Sequence, residues 1–142
     1  MKKILFLLLF FFNGFVSYPQ ATAQCNTEEL SNLCISKLAP GFSFLKTYKI
    51  NGELDLVKVE YSYVFAKGTQ YMITLCDQKP DASTITITIF DSKRNKIASN
   101  NINGTLVSAI SLPCNATGIY YIQYTFEGSS TRCGGSALGF KR

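Results

Sequence analysis

The sequence contains no histidine, which removes the commonest general base of enzymes. Catalytic triads built on histidine, and zinc sites that mix cysteine with histidine, are excluded with it. Acidic residues number only nine, and none of them stands in a recognisable enzyme motif. A glycosidase would need two carboxylates facing each other across a cleft, and no motif indicates such a pair. We therefore predict a protein that is not an enzyme and has no cofactor.

Two further patterns are missing from the chain. No pair of cysteines has the Cys-x-x-Cys spacing, which argues against a dithiol oxidoreductase. No basic cluster exceeds the three residues of "SKRNK", namely Lys93, Arg94 and Lys96, and a solvated turn accounts for these. No nucleic-acid partner is therefore expected.

The first residues have the order of a secretory signal peptide. The basic start "MKK" precedes the apolar run "ILFLLLFFF", and "ATA" at residues 21–23 is a small-x-small cleavage site. The run is shorter than the roughly 20 residues of a membrane-spanning helix, which disfavours a retained anchor. Cys25 near this site raises the alternative of a lipoprotein, in which a lipid-modified cysteine becomes the first residue of the mature protein. Gln24 disfavours that alternative, because the residue before such a cysteine is small. We predict cleavage after Ala23 and no membrane span in the mature chain.

The predicted mature chain, residues 24–142, keeps 12 basic and 9 acidic residues and a net charge of +3, since the signal peptide removes two lysines and no acid. A chain of this length can form one domain without a metal, because it buries about two-thirds of its unfolded surface. Export places it in the periplasm, at the outer membrane or outside the cell. We predict that this mature chain consists of a short, disulfide-linked N-terminal helix over 24–41 and a β-sandwich domain over 42–142.

Five cysteines are candidates for disulfide bonds: Cys25, Cys34, Cys76, Cys114 and Cys133. Cysteines of exported proteins are usually bridged, and five of them allow at most two bridges. The connectivity stays open, and we favour a local Cys25–Cys34 pair with one bridge among the other three. Cys133 follows Arg132 in "RCGGS", an electropositive setting that would favour a reactive thiolate if the residue were free.

The segment 24–41 contains the candidate helix. Thr27 can cap it, and two glutamates suit the positive end of the first turn. Leu30 and Leu33 recur at helical spacing and are expected to pack on the domain. Pro40 and Gly41 are expected to end the helix.

From residue 42 onward, apolar and polar residues alternate with the period of a β-strand. "TITITIF" puts isoleucines on one face and threonines on the other, and "NATGIYYIQYTF" puts Tyr120, Ile122, Tyr124 and Phe126 on one apolar face. "AKGT" at 66–69 predicts a hairpin turn, and "DSKRNK" predicts another turn. Seven or eight such strands predict an all-β fold, an antiparallel, jelly-roll-like β-sandwich.

The second face of "NATGIYYIQYTF" carries the candidate binding residues Tyr121, Gln123 and Thr125. An exposed tyrosine beside amide and hydroxyl groups can stack on a sugar ring or anchor a protein partner. Most other tyrosines are expected in the core, because the apolar faces of the strands need to be filled.

Three stretches together resemble the bacterial pre-peptidase C-terminal domain family: "EYSYVFAKGTQYMITL", "TITIFDSKRNKIAS" and "NATGIYYIQYTF". The resemblance covers roughly residues 57–127 and implies a jelly-roll-like, non-catalytic extracytoplasmic module. Some modules of this family bind calcium through loop aspartates, and Asp91 is the residue that matches such a position.

Residues 84–142 are also similar to the C-terminal sorting domain of type IX secretion cargo in Bacteroidetes, although the cysteines depart from that pattern. Three functional hypotheses follow. The first is an exported binding or accessory protein of the bacterial cell envelope, with an envelope protein as its partner. The second is a carbohydrate-binding module, whose partner would be a polysaccharide, or a free-standing sorting-domain-like protein. The third is an enzyme or redox protein that uses Cys133.

Overall fold

A computed structural model describes residues 24–52, 57–78, 84–126 and 132–142 of the chain. In chain order, the elements are α1 (Thr27–Ile35), β1 (Ser43–Asn51), β2 (Lys58–Phe65), β3 (Gln70–Asp77), β4 (Ile85–Phe90), β5 (Lys96–Ser99), β6 (Asn101–Ile102), β7 (Thr105–Leu106), β8 (Ala109–Pro113), β9 (Gly118–Phe126) and β10 (Cys133–Lys141). The predicted signal peptide lies outside the described residues.

Eight of the strands form two four-stranded antiparallel sheets that pack face to face. Sheet A has the order β1-β10-β3-β8, and sheet B has the order β2-β9-β4-β5. Taken without β6 and β7, these orders are those of a jelly roll, in which the chain passes between the sheets at almost every connection. The predicted all-β, jelly-roll-like sandwich is confirmed. The two-residue strands β6 and β7 form a small separate ribbon that the strand pattern does not predict.

The core lies between the sheets and is built by the alternating strands. Ile85, Ile87 and Ile89 of β4 are fully buried, as are Ile122 and Tyr124 of β9. Tyr120 and Phe126 of the same β9 face are buried as well. The inward faces predicted for these two strands are therefore confirmed, because successive side chains of a strand point to opposite faces.

The turn at residues 66–69 does not close a hairpin. Strand β2 pairs with β9, whereas β3 pairs with β10 and β8, so the turn carries the chain from sheet B to sheet A. Gly68 has φ +81°, which a tight reversal requires. The hairpin prediction was wrong because turn residues indicate a reversal and do not determine which strands pair. "DSKRNK" does close a hairpin, that of β4 and β5.

Helix α1 differs from its predicted form at both ends. Asn26, and not Thr27, is the N-cap, and its side chain accepts a hydrogen bond from the Glu29 backbone N–H at 3.2 Å. The helix ends at Ile35, before Pro40 is reached. Leu33 is 50% exposed, so its predicted packing on the domain was wrong. The buried side chains of the helix are Ser31 and Cys34, which are small and permit close contact with the sheet.

The helix lies on the outer face of sheet A, above the small residues of β10. Gly135 faces the helix backbone, and Gly139 faces the Leu38 side chain in the segment that follows. The Ser31 hydroxyl donates a hydrogen bond to the Tyr48 carbonyl at 3.1 Å, and the Thr74 hydroxyl donates one to the Cys34 carbonyl at 2.9 Å. The helix thereby covers the part of this outer face that β1, β10 and β3 form.

Two disulfide bonds attach this helix to the sandwich. They join Cys25 to Cys133 and Cys34 to Cys76, and Cys114 is a buried free cysteine. The favoured local Cys25–Cys34 pair was therefore wrong. Cys25 lies two residues before the helix, and the helix itself separates Thr27 from Cys34 by about 10 Å, since each helical residue advances the chain by about 1.5 Å. The Cα atoms of a disulfide lie within about 7 Å of each other. Cys133 is bridged and cannot serve as the free thiolate of the redox hypothesis.

Candidate functional site

The two outer faces of the sandwich are unequal. The described helix contacts β10, β1 and β3 of sheet A. Among the described residues, no helix packs on the outer face of sheet B, and the outward side chains of this sheet are half-buried or exposed. Tyr121, Gln123 and Thr125 lie on that face, because their neighbours in β9 point into the core. The sheet B outer face is therefore the candidate binding surface.

Cross-strand pairing arranges this surface in three rows, because directly paired residues of antiparallel strands point to the same face. The Tyr121 row contains Ser62, Tyr121, Phe90 and Lys96; the Gln123 row contains Glu60, Gln123, Thr88 and Ser99; the Thr125 row contains Lys58, Thr125 and Thr86. Aromatic residues thus occur in one row, and hydroxyl and amide groups dominate the other two.

Arg94 covers the aromatic ring of the candidate site. It leaves the β4–β5 turn, and its guanidinium carbon lies 3.6 Å from the centre of the Tyr121 ring. The same guanidinium donates hydrogen bonds to both carboxylate oxygens of Glu60, at 2.9 and 2.8 Å. Gln123 donates a further hydrogen bond to Glu60 at 3.1 Å. Tyr121 is therefore a support for Arg94 and not an open stacking platform for a sugar.

The hydrogen bond from Arg94 lowers the pKa of Glu60, against the opposite effect of partial burial. A carboxylate whose folded-state pKa is below its ordinary value stabilises the fold at pH values above that ordinary value. This contribution is lost as the pH falls through the folded-state pKa, when the carboxylate takes up a proton.

We expect Glu60→Gln to lower the free energy of unfolding at neutral pH, by less than about 1 kcal/mol because both partners are partly exposed to solvent. The difference from the unchanged protein should shrink below the folded-state pKa of Glu60. Urea unfolding at neutral and acidic pH measures both values. Glu28→Gln is the control, since the Glu28–Lys49 pair is more exposed, and an equal loss there would contradict the assignment.

A polar groove of about 500 Å³ lies beside the covered tyrosine. Strands β4, β5 and β9 contribute Thr86, Thr88, Lys96, Ser99, Gln123 and Thr125 to its lining, and the segment after β5 contributes Asn101, Asn103 and Gly104. Within the described part of the chain, the hydroxyls of the three threonines form no hydrogen bond and are open to a ligand. Thr86 and Thr88 were not predicted as site residues, although the outward threonines of "TITITIF" are a visible signal.

Asp91 lies in a second cleft, of about 340 Å³, at the β4–β5 turn. Its carboxylate accepts hydrogen bonds from the Lys93 and Asn95 backbone N–H groups, at 2.9 and 2.8 Å, and from the Asn95 side chain at 2.9 Å. The bond from the Asn95 side chain is the main cause that lowers the Asp91 pKa. These contacts shape the hairpin. No group of three potential metal ligands occurs among the described residues, and calcium binding at Asp91 stays a prediction.

The one free thiol of the described residues is inside the protein. Cys114 is 3% exposed, and its sulfur lies 3.1 Å from the Ala116 carbonyl oxygen and 3.7 Å from the Tyr120 hydroxyl oxygen. Burial, with the nearby thiol, raises the pKa of Tyr120 to about 12. This thiol lacks the exposure that a reactive cysteine needs.

No protein-family model matches the chain, and no curated protein matches it in sequence. The resemblances to the pre-peptidase C-terminal domain and to the sorting domain therefore stay predictions. In the described part of the chain, no helix has the length and apolar character required to cross a membrane.

Proposed function

We propose that the chain is an exported, non-catalytic binding module that acts as an accessory protein of the bacterial cell envelope. The observation that carries this proposal is the inequality of the two outer faces. Helix α1, held by two disulfides, packs on β1, β10 and β3 of sheet A, whereas no described helix packs on the polar rows of the sheet B outer face. In the unbound protein these outward hydroxyl and amide groups hydrogen-bond to water, and a ligand with matching polar groups can take the place of that water.

The chemistry of the described residues supports a binding role over catalysis. Glu60 is held by Arg94 and Gln123, and Asp91 by its own hairpin. The chain has no histidine, and its described free thiol is buried. Two disulfides are typical of an oxidising compartment and support export.

The experiment is affinity capture with the exported, mature chain from a detergent extract of its own cell envelope, followed by mass spectrometry of proteins and analysis of glycans. We expect Gln123→Ala combined with Thr125→Ala to lose the captured component. Gln70→Ala combined with Ser111→Ala is the matched control, because this exposed amide–hydroxyl pair lies on sheet A. Equal capture by all three proteins would contradict the assignment of the binding face.

A carbohydrate-binding module is the second candidate function. The specific observation in its favour is the groove, because a lining of hydroxyl and amide groups can both donate and accept hydrogen bonds, as sugar hydroxyls require. The covered Tyr121 ring changes the expected site: the contacts would come from the threonine and amide groups of the groove.

A further inference from the structure

We infer that the sheet B outer face binds an acidic polysaccharide along its groove, with Lys96 of the groove lining and Lys58 beside the groove pairing with its carboxylates. The inference rests on the proposed function, because it names the ligand class of the same face. It is carried by three observations: the chemistry of the lining, the distribution of charge, and the dimensions of the surface.

The lining matches a chain of sugar hydroxyls. Thr86, Thr88 and Thr125 are half-buried, and their hydroxyls are left without a described partner in the fold. Each hydroxyl offers one donor and two acceptor positions, and the Gln123 carbonyl oxygen is a further acceptor. The strongly exposed apolar side chains of this sheet are Val64, Ile97 and Ile119, and none of them lines the groove.

The lining also argues against a protein partner at this position. Protein–protein interfaces have a desolvated centre enriched in aromatic residues, methionine and arginine. No such side chain lines the groove, and the nearest aromatic ring and arginine are already paired with each other. An extended polar ligand fits this surface better.

The charges make the expected ligand an anion. Lys58 and Lys96 are exposed at opposite corners of the three rows, and neither forms a salt bridge with a described residue. Glu60 is the one carboxylate in the rows, and Arg94 neutralises it. Within the described part of these rows, the positive charges outnumber the negative ones, and this excess attracts anions and raises their rate of association.

The dimensions favour a polymer over a single sugar. Neighbouring strands lie about 4.8 Å apart and successive residues on one face about 7 Å apart, so the rows extend for roughly 14 Å in each direction. A ligand that contacts both lysines must span several sugar units. A uronate polymer supplies hydroxyls for the threonines and a carboxylate on each unit for the lysines.

The test is the affinity of the mature protein for polygalacturonate, measured by gel electrophoresis with the polymer embedded, beside gels that contain neutral dextran or dextran sulfate. We expect retardation by polygalacturonate and none by dextran. Lys58→Gln with Lys96→Gln should weaken binding about tenfold, since each exposed pair contributes up to about 1 kcal/mol. Lys37→Gln with Lys67→Gln removes the same charge from other exposed positions and should leave binding unchanged.

Thr88→Val with Thr125→Val separates a built site from ion exchange, because it keeps the charge and side-chain shape and removes two hydroxyls. We expect weaker binding to polygalacturonate and unchanged binding to dextran sulfate. Equal losses from both lysine pairs, or no effect of the threonine changes, would overturn the inference. Absence of binding to polygalacturonate, together with face-dependent capture of an envelope protein, would overturn the inference and leave the proposed function intact.

Discussion

Replacement of Gly135 by alanine is expected to destabilise the protein by about 3 kcal/mol. An added Cβ at this position meets the backbone of helix α1: it lies 2.5 Å from the Leu30 carbonyl carbon and 2.6 Å from the Ser31 Cα. Real Cβ atoms do not approach other atoms so closely, and a helix backbone cannot rotate away as a flexible side chain can. The helix must therefore move off sheet A or the strand must shift.

Urea unfolding and thermal unfolding of Gly135→Ala measure this effect, and we expect a Tm lowered by on the order of 10 °C. Gly118→Ala is the matched control, because no atom lies within 4 Å of an added Cβ there and the change should be small. Because two disulfides tether the helix, hydrogen exchange of the α1 backbone amides is measured in parallel. Unchanged stability together with unchanged exchange would show that the helix does not pack on Gly135.

The sequence predicts some strands of the sandwich well and others only in part. Strands β4 and β9 alternate between apolar and polar residues, because one face of each lines the core, and this local pattern predicts them correctly. Strand β10 begins with "CGGSA", and the sequence indicates a strand only near Leu138 and Phe140. Glycine is needed at position 135 because the backbone of helix α1 lies against it, and this tertiary cause leaves no local pattern in the sequence.

The sequence also failed to predict which distant segments of the chain pair with each other. The disulfides join residues 108 and 42 positions apart, and the favoured pair joined neighbours in the chain. The turn at residues 66–69 was likewise predicted to join two paired strands, although β2 and β3 lie in different sheets. Spacing and turn chemistry report local geometry, and neither reports how the chain crosses between the sheets.

In the candidate site, too, the sequence predicts the features set by local alternation and misses a contact between distant segments. The alternation in β9 places Tyr121, Gln123 and Thr125 on the outer face, where the structure has them. The contact of Arg94 with Tyr121 and Glu60 joins a turn to a strand 34 residues earlier, so no local pattern predicts it. That contact moves the expected point of recognition from the aromatic ring to the neighbouring threonines.

Asn100 is a buried polar residue that supports one wall of this groove. It is fully buried and follows the last residue of β5, at the point where β4 loses its neighbouring strand. Its side-chain oxygen accepts a hydrogen bond from the Ile87 N–H at 2.7 Å, and its side-chain nitrogen donates to the carbonyls of Ile85 and Val107 at 3.2 and 3.0 Å. The amide thereby continues the hydrogen bonding of the sheet and ties the segment 101–107 to it.

We expect Asn100→Ala to destabilise the protein by about 4 kcal/mol, because one N–H and two carbonyl groups lose a partner in a buried site, at about 1–3 kcal/mol each. Asn100→Asp should also be strongly destabilising, since a carboxylate cannot donate to the two carbonyls and its charge would be buried. Urea unfolding measures both variants beside Asn115→Ala, an exposed control expected to change stability by less than about 0.5 kcal/mol. A loss for Asn100→Ala no larger than for the control would show that the buried amide does not hold the sheet.

If the amide also fixes the groove wall, polygalacturonate binding by folded Asn100→Ala should weaken, because Asn101 and Asn103 are positioned by the segment that it anchors.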